Sequence, residues 1–274
     1  MMENRRHSRP PLHRTIAASI GYSVYFLSCA FYFLLSPLFL LLSFNPALMR
    51  RASKSANNLF LFFLTRIFLP SLRIYKIVEE PSFESLEKDS PAIFVANHRS
   101  RLDGPMLLPL LKNTGVLMKT SYARMPVFSF FVKHLDFVSV DSESVANLAA
   151  AIKRCKELFR NGSRLLIFPE GARSRSARML PFKDLAFRLS AETGFPVVPL
   201  IVHCDHPFMA KMPGSLVPPF RMKFVVRSLP PMLPEENERP SDFAERVRRR
   251  MAEEIRILDK GTVWEIKSGK ERAR

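Results

Sequence analysis

PAIFVANHRSRLDGPMLLPLL, residues 91–111, joins two apolar runs through a short polar segment. The first run, PAIFVA (91–96), is typical of a short buried strand. The second, GPMLLPLL (104–111), is typical of a helix that begins near a proline, a residue that the first helical turn tolerates. A strand, a polar loop and a helix in succession indicate an α/β fold.

The polar segment carries His98 and Asp103, five positions apart, a spacing that directs the two side chains to different sides of a helix or a strand. The pair can meet only across a turn. We therefore expect Asp103 at the N-cap of the following helix and His98 folded back towards it. An imidazole held by a carboxylate through one nitrogen can act as a general base through the other. The alternative is that Asp103 only caps the helix and His98 only fills the loop, and this stretch alone leaves both open.

Beyond residue 75, short apolar strands alternate with helices, which predicts a mixed sheet flanked by helices. One helix is predicted where Val145, Leu148, Ile152, Cys155 and Phe159 share a face before the stop signal Asn161-Gly162. Another is predicted where Phe243, Val247, Met251 and Ile255 recur behind Ser241 as the N-cap. The further strand candidates are residues 116–119, 136–140, 164–168, 195–202 and 221–229.

The N-terminal part of the chain has the pattern of a membrane-associated segment. No charged residue occurs from Thr15 to Met49, and about 20 apolar residues suffice for one bilayer crossing. Basic residues on both flanks, with Pro37 and Pro46 between them, favour a helical hairpin in one leaflet over a straight span. The next apolar run, residues 58–70, is too short to cross comfortably and is either an interfacial helix or a core helix. We therefore divide the chain into residues 1–74, a basic N-terminus with membrane-associated helices, and an α/β domain over residues 75–274.

The charge of the chain predicts an anionic partner. Lys and Arg number 42 against 25 Asp and Glu, a net charge of +17, which suits anionic lipid or nucleic acid. No platform of interleaved aromatic and basic residues is present, so nucleic acid is disfavoured.

The three cysteines predict reduced thiols and a cytosol-facing catalytic part, because they are scattered and lack CxxC spacing. The cluster HCDH (203–206) is not expected to bind a metal, since neighbours at a strand end point to alternate sides.

A second polar motif, FPEGARSRSARMLPFK (168–183), follows the strand candidate 164–168. Pro169 and Gly171 predict a sharp turn that presents Glu170 and several arginines on a loop. Guanidinium groups match phosphate oxygens well, although an arginine-rich loop alone is more often solvated surface.

NHRSRLD (97–103) followed by FPEGARS (168–174) resembles the glycerolipid acyltransferase family, which includes the 1-acylglycerol-3-phosphate and other lysophospholipid acyltransferases. Further family-like stretches are RMPVFSFF (124–131), LPFKDLAF (180–187) and VPLIV (198–202). The resemblance implies a membrane-bound O-acyltransferase that makes phosphatidate from 1-acylglycerol-3-phosphate. It implies an acyl thioester on acyl carrier protein or coenzyme A as co-substrate, no cofactor and no metal. The expected location is the cytoplasmic face of the inner (plasma) membrane, among membrane lipids as partners.

The resemblance also implies roles for residues. His98 would be the general base and Asp103 its orienting partner, with Arg173 near the acceptor's phosphate. The residues expected to bind substrate are Asn97, Ser100, Arg101, Lys119, Glu170, Gly171, Arg173 and Ser174.

Two departures from the family pattern leave the acceptor open. Ser142 stands where many phosphatidate-forming members have an arginine, and the glycine usually found after Phe-Lys is missing from KDLAF (183–187). Either Lys119, Arg101 or Arg175 compensates, or the acceptor is a different lysolipid or lipid-linked alcohol. A non-catalytic membrane-docking protein of the same fold is the alternative from a different class.

Overall fold

The computed structural model describes residues 10–24, 26–27, 46–81, 91–124, 135–141, 145–212 and 215–265. Most of the uncharged stretch, including Cys29 and Pro37, lies outside the described residues, as do Ser142 and all but the first residue of the block 124–131. In the part that is described, no helix is both long and apolar enough to cross a membrane.

The described strands form one seven-stranded sheet in the order β1-β7-β6-β2-β5-β3-β4. Their bounds are β1 Tyr75–Glu79, β2 Ile93–Ala96, β3 Thr114–Lys119, β4 Val138–Val140, β5 Arg164–Ile167, β6 Val197–Cys204 and β7 Met222–Ser228. The pair β6–β7 is antiparallel and the other described pairs are parallel, so the predicted mixed sheet is confirmed. All six strands expected from the sequence are present, whereas β1 was not predicted.

Helices cover both faces of the sheet. The α-helices span 12–24, Pro46–Phe62, Leu69–Ser71, Asp103–Leu107, Thr120–Ala123, Val145–Arg160, Leu185–Thr193 and Pro240–Asp259, with a π-helical turn at Phe63–Phe68 and a 3₁₀ turn at Leu108–Leu110. The helix Val145–Arg160 ends as predicted, because Gly162 follows it with a φ of 70°. The predicted cap of the last helix is wrong by two residues: Arg239 is the N-cap and Pro240 opens the first turn, where a proline fits.

The side chains of β2 alternate between two hydrophobic cores. Phe94 and Ala96 belong to the first core, and Ile93 and Val95 to the second. The first core lies beneath the helical segment 46–71, which buries Leu61, Leu64 and Leu69 there. The second lies beneath the helices Val145–Arg160, Leu185–Thr193 and Pro240–Asp259, which bury Cys155, Phe187 and Phe243 there, among others.

The segment 58–70 is a core helix on one face and exposed on the other. Its exposed apolar side chains are Leu59, Phe62, Phe63 and Ile67. Because its buried face packs against the strands, segment and sheet share one core; the division of the chain at residue 75 stays a prediction.

Candidate active site

The two sequence motifs meet at one edge of the sheet. β2 and β5 are parallel neighbours, with Val95 opposite Ile167, so the loops that follow them leave the sheet side by side. The carbonyl of His98 accepts the N–H of Ser174 at 2.8 Å, and the N–H of His98 donates to Oε1 of Glu170 at 2.7 Å. The FPEGARS loop is therefore bonded directly to the backbone of the residue that carries the imidazole.

His98 and Asp103 are in contact, as the sequence predicts. Nδ1 of His98 lies 2.9 Å from Oδ2 of Asp103, and the side chain of His98 is 23% exposed while that of Asp103 is 2% exposed. The same Oδ2 accepts the N–H groups of Arg99 at 2.8 Å and Ser100 at 2.7 Å. Because a carboxylate oxygen can only accept, Nδ1 of His98 carries the proton of this hydrogen bond. The lone pair of the neutral ring is then on Nε2.

Asp103 does not cap its helix. Leu102 is the N-cap and makes no side-chain cap hydrogen bond, and Asp103 is the first helical residue. The predicted N-cap position is therefore wrong by one residue, because the carboxylate turns back into the loop to bond Arg99 and Ser100. The alternative in which Asp103 serves only as a cap is wrong for the same reason.

Glu170 joins the two ends of its own motif to the His98 loop. Its Oε2 accepts the N–H of Leu180 at 2.9 Å, while Oε1 bonds His98, and the residue is 6% exposed. Burial raises the pKa of Glu170 to about 7, and the hydrogen bonds from Leu180 and His98 lower it only in part. This carboxyl group supports the loops rather than facing an open site.

Gly171 provides the sharp turn expected from the sequence. Its φ is 65°, a conformation that residues with a Cβ rarely adopt. A Cβ at this position would lie 3.0 Å from Cε of Lys183, whose own N–H donates to the carbonyl of Pro169 at 2.9 Å. The glycine thus leaves room for the lysine to lie across the turn.

Three residues expected to bind substrate are buried and bonded to the main chain. Asn97 bonds both the N–H and the carbonyl of Val202, at 2.8 and 2.9 Å. Ser100 donates to the carbonyl of Phe208 at 2.7 Å, and Ser174 to the carbonyl of Arg178 at 2.7 Å. These side chains fix the site's loops in place.

The main chain of Arg101 and the side chain of Arg173 meet at one carbonyl group. The carbonyl of Met209 accepts the backbone N–H of Arg101 and Nη1 of Arg173, each at 3.1 Å. Arg101 is exposed and Arg173 is half-buried. Lys119 ends β3, which β5 separates from β2 in the sheet.

The sequence interpretation missed a buried cluster beside the site. Arg99 pairs through Nη1 and Nη2 with the two oxygens of Asp259, at 2.8 and 2.9 Å, and also donates to the carbonyl of Ala177. Nε2 of His203 lies 3.0 Å from the same Asp259. No local pattern signals this pairing, because Asp259 lies 160 residues further along the chain.

The HCDH segment splits between two environments. His203 bonds Asp259, whereas Sγ of Cys204 lies 3.7 Å from Sδ of Met222 in the first core. Across the described ranges, no group of three or more His, Cys, Asp or Glu side chains is placed to hold a metal ion.

The sequence is similar to a known protein family and to several of its members. Residues 78–203 match the family model described as Acyltransferase. A chloroplastic 1-acyl-sn-glycerol-3-phosphate acyltransferase of Brassica napus is 37% identical over 41% of this chain and 33% of its own length. The 1-acyl-sn-glycerol-3-phosphate acyltransferase of Saccharomyces cerevisiae is 30% identical over 67% of this chain and 60% of its own length. The chain thus spans a third of the first relative and less than two thirds of the second.

A solved structure has the same fold. The crystal structure of the 1-acyl-sn-glycerophosphate (LPA) acyltransferase PlsC from Thermotoga maritima matches with a TM-score of 0.71, over 90% of this chain and 96% of that one. Identity is 21%, so this comparison bears on the fold. The family resemblance and the α/β fold are both confirmed.

Proposed function

We propose, from the match of residues 78–203 to the acyltransferase family model, that this chain transfers a fatty acyl group from a thioester to the hydroxyl of a lysophospholipid. The favoured acceptor is 1-acylglycerol-3-phosphate, which the names of the Brassica and yeast relatives contain, and the product would be phosphatidate. The observation that carries the proposal is the contact of 2.9 Å between Nδ1 of His98 and Oδ2 of Asp103.

The geometry of the pair supports a direct transfer. Nε2 of His98 takes the proton of the acceptor hydroxyl, while Asp103 holds the ring and stabilises its positive charge. The acceptor oxygen attacks the thioester carbonyl, the tetrahedral intermediate collapses with cleavage of the C–S bond, and His98 returns the proton to the departing thiolate. A thioester is already activated, so positioning and general base catalysis carry much of the chemistry. We propose no cofactor besides this co-substrate, carried by acyl carrier protein or coenzyme A.

The acceptor's phosphate is proposed to bind between Arg101 and Arg173. The guanidinium of Arg173 and the backbone N–H of Arg101 bond the same carbonyl, that of Met209, and the side chain of Arg101 is exposed nearby. A half-buried guanidinium forms two parallel hydrogen bonds to a phosphate, and a second cation strengthens the pair. Arg101 is then the group that compensates for the serine at position 142.

Membrane attachment is proposed through exposed apolar side chains. On the helix at 12–24 these side chains recur every fourth residue, at Leu12, Ile16 and Ile20, and on the segment 46–71 at Leu59, Phe63 and Ile67. Such stripes suit a surface that lies in the bilayer interface. Since acceptor and product are both lipids, attachment at the cytoplasmic face would bring the enzyme to its substrate.

The decisive test is acyl transfer by the purified chain in lipid micelles, with His98→Ala and Asp103→Asn beside the wild type. We expect His98→Ala to lower kcat by about 10²- to 10⁴-fold, because the hydroxyl loses its base, and Asp103→Asn to be nearly as damaging. Circular dichroism shows whether the variants are folded. A folded His98→Ala variant with near-normal turnover would refute the proposal.

A further inference from the structure

The buried cluster around Asp259 connects both motif loops to the end of the last helix. Arg99 is 6% exposed and Asp259 is 8% exposed. The guanidinium of Arg99 bonds both oxygens of Asp259 and the carbonyl of Ala177, which belongs to the second motif's loop. One side chain therefore ties the His98 loop, the arginine loop and the helix Pro240–Asp259 together.

Contacts with Trp264 and with β6 fix the position of this cluster. The guanidinium carbon of Arg99 lies 4.5 Å from the ring centre of Trp264, whose Nε1 donates to the carbonyl of Cys204 at 2.8 Å. His203, on the same strand as Cys204, bonds Asp259. Burial raises the pKa of Asp259, but the hydrogen bonds from His203 and Arg99 outweigh it, so the pKa lies below its usual range and the carboxylate is charged.

Stability alone is a weak reason for such a pair. Removing two charges from water costs about as much as their attraction returns, and a buried pair can often be replaced by apolar side chains without loss. The arrangement has another effect, because the backbone N–H of Arg99 is one of the two that hold Oδ2 of Asp103, at 2.8 Å. A shift of the Arg99 side chain therefore moves a peptide group that orients the His98–Asp103 pair.

We propose that Arg99 and Asp259 are positioning residues, whose ion pair holds the 97–103 loop so that the amides of Arg99 and Ser100 keep Asp103 against His98. The catalytic part of this inference rests on the proposed acyl transfer; the positioning of the loop does not. Neither residue touches the reacting atoms. The end of the C-terminal helix thus belongs to the support of the site, although it lies outside the family match at residues 78–203.

The chain offers a matched control on the same helix. Glu254 is also 8% exposed and pairs with an arginine, Arg227 of β7, but this pair does not contact either motif loop. Asp259→Asn and Glu254→Gln each remove one buried carboxylate charge with little change of shape. Both variants are expected to lower the melting temperature, whereas only Asp259→Asn should disturb the site.

The experiment compares kcat per folded molecule and hydrogen exchange of the amides of residues 97–103 in the full chain. We expect Asp259→Asn to lower kcat by about 10- to 100-fold, with donor KM within about threefold, because a misplaced base costs rate more than binding. Exchange of the Arg99 and Ser100 amides should be at least about threefold faster, since the bonds that protect them loosen. Glu254→Gln should leave kcat and this exchange within about twofold of the wild type.

Several outcomes would overturn the proposal: unchanged kcat or unchanged exchange in Asp259→Asn, or equal losses in Glu254→Gln. If Asp259→Asn does not fold, the double variant Arg99→Met/Asp259→Leu removes both charges. If that variant folds, a lowered kcat with faster exchange of the 97–103 amides supports positioning. A kcat equal to that of the wild type refutes it. A wild type without acyl transfer refutes the proposed function alone, because the exchange comparison still tests the loop.

Discussion

Arg173 is the residue proposed to bind the phosphate of the acceptor. If Arg173 binds a phosphate in a partly desolvated site, Arg173→Ala should cost about 2 to 3 kcal/mol of acceptor binding. That loss raises the acceptor KM by about 30- to 150-fold, with less effect on the donor KM. Arg173→Lys should recover only part, because an ammonium cannot form the two-pronged contact.

Steady-state kinetics with 1-acylglycerol-3-phosphate and with lysolipids whose phosphate is esterified checks this prediction. Arg101→Ala is the companion variant, because it removes the second proposed phosphate-binding cation and keeps the backbone N–H that bonds the carbonyl of Met209. An unchanged acceptor KM in Arg173→Ala contradicts phosphate binding by this residue. Equal use of both classes of acceptor by the wild type favours the alternative in which the acceptor is a different lysolipid.

The carboxyl group of Glu170 should make the folded state less stable as the pH rises, which is the reverse of the usual effect of a carboxyl group. Burial raises its pKa from 4.5 to about 7 in the folded state, so between these values the folded chain binds more protons than the unfolded chain. Stability is therefore lost as pH rises through this window, by about 3 kcal/mol in full. Glu170→Gln cannot ionise, so the difference in unfolding free energy between wild type and variant should favour the wild type more at pH 5 than at pH 8. Urea unfolding of both at several pH values measures this difference, and a constant difference contradicts the prediction.

Elements with a strong local pattern could be predicted from the sequence, and those set by distant contacts could not. Leu165, Leu166 and Ile167 of β5 are buried, which the apolar run predicts directly. β1 alternates buried Tyr75 with exposed Lys76 and lies at the sheet edge, where a strand needs little apolar sequence. The π-helical turn is stabilised by Thr65, whose hydroxyl bonds the carbonyl of Leu61 and whose carbonyl accepts the hydroxyl of Tyr75; neither bond leaves a periodic signal.

The candidate site divides in the same way. His98, Asp103 and Glu170 lie in two short motifs, so their meeting follows once two parallel strands are neighbours. The pairing of Arg99 with Asp259 depends on how the last helix crosses the sheet, which no spacing within a motif encodes. The predicted caps, Asp103 and Ser241, are wrong because Asp and Ser are good caps in isolation, whereas the helices begin after Leu102 and Arg239.

The chain carries 42 Lys and Arg against 25 Asp and Glu, and some of these cations are paired with carboxylates. On the last helix, Arg246 pairs with Glu238 and Arg248 with Glu245. Exposed apolar side chains, by contrast, recur along two helical segments, and the helix at 12–24 is held to the body by the hydroxyl of Tyr22, which donates to the carbonyl of Leu216 at 2.8 Å. We infer that apolar contact contributes more than charge does to the proposed membrane attachment.

That inference predicts how the chain leaves a membrane. High salt screens charges within a few ångströms and should not release the chain, whereas detergent should. Phe63 and Ile67 are 46% and 52% exposed, so about half of each side chain is available to contact lipid. Phe63→Ser/Ile67→Ser removes that contact and should cost about 2 to 3 kcal/mol of membrane binding. Binding to vesicles should weaken by about 30- to 150-fold.

Leu64→Ala is the matched control: Leu64 is fully buried beneath the same segment, so this change should lower stability by about 2 to 5 kcal/mol and leave vesicle binding of the folded chain unchanged. Release by salt alone, or equal vesicle binding by the double variant, would assign the attachment to the basic surface instead.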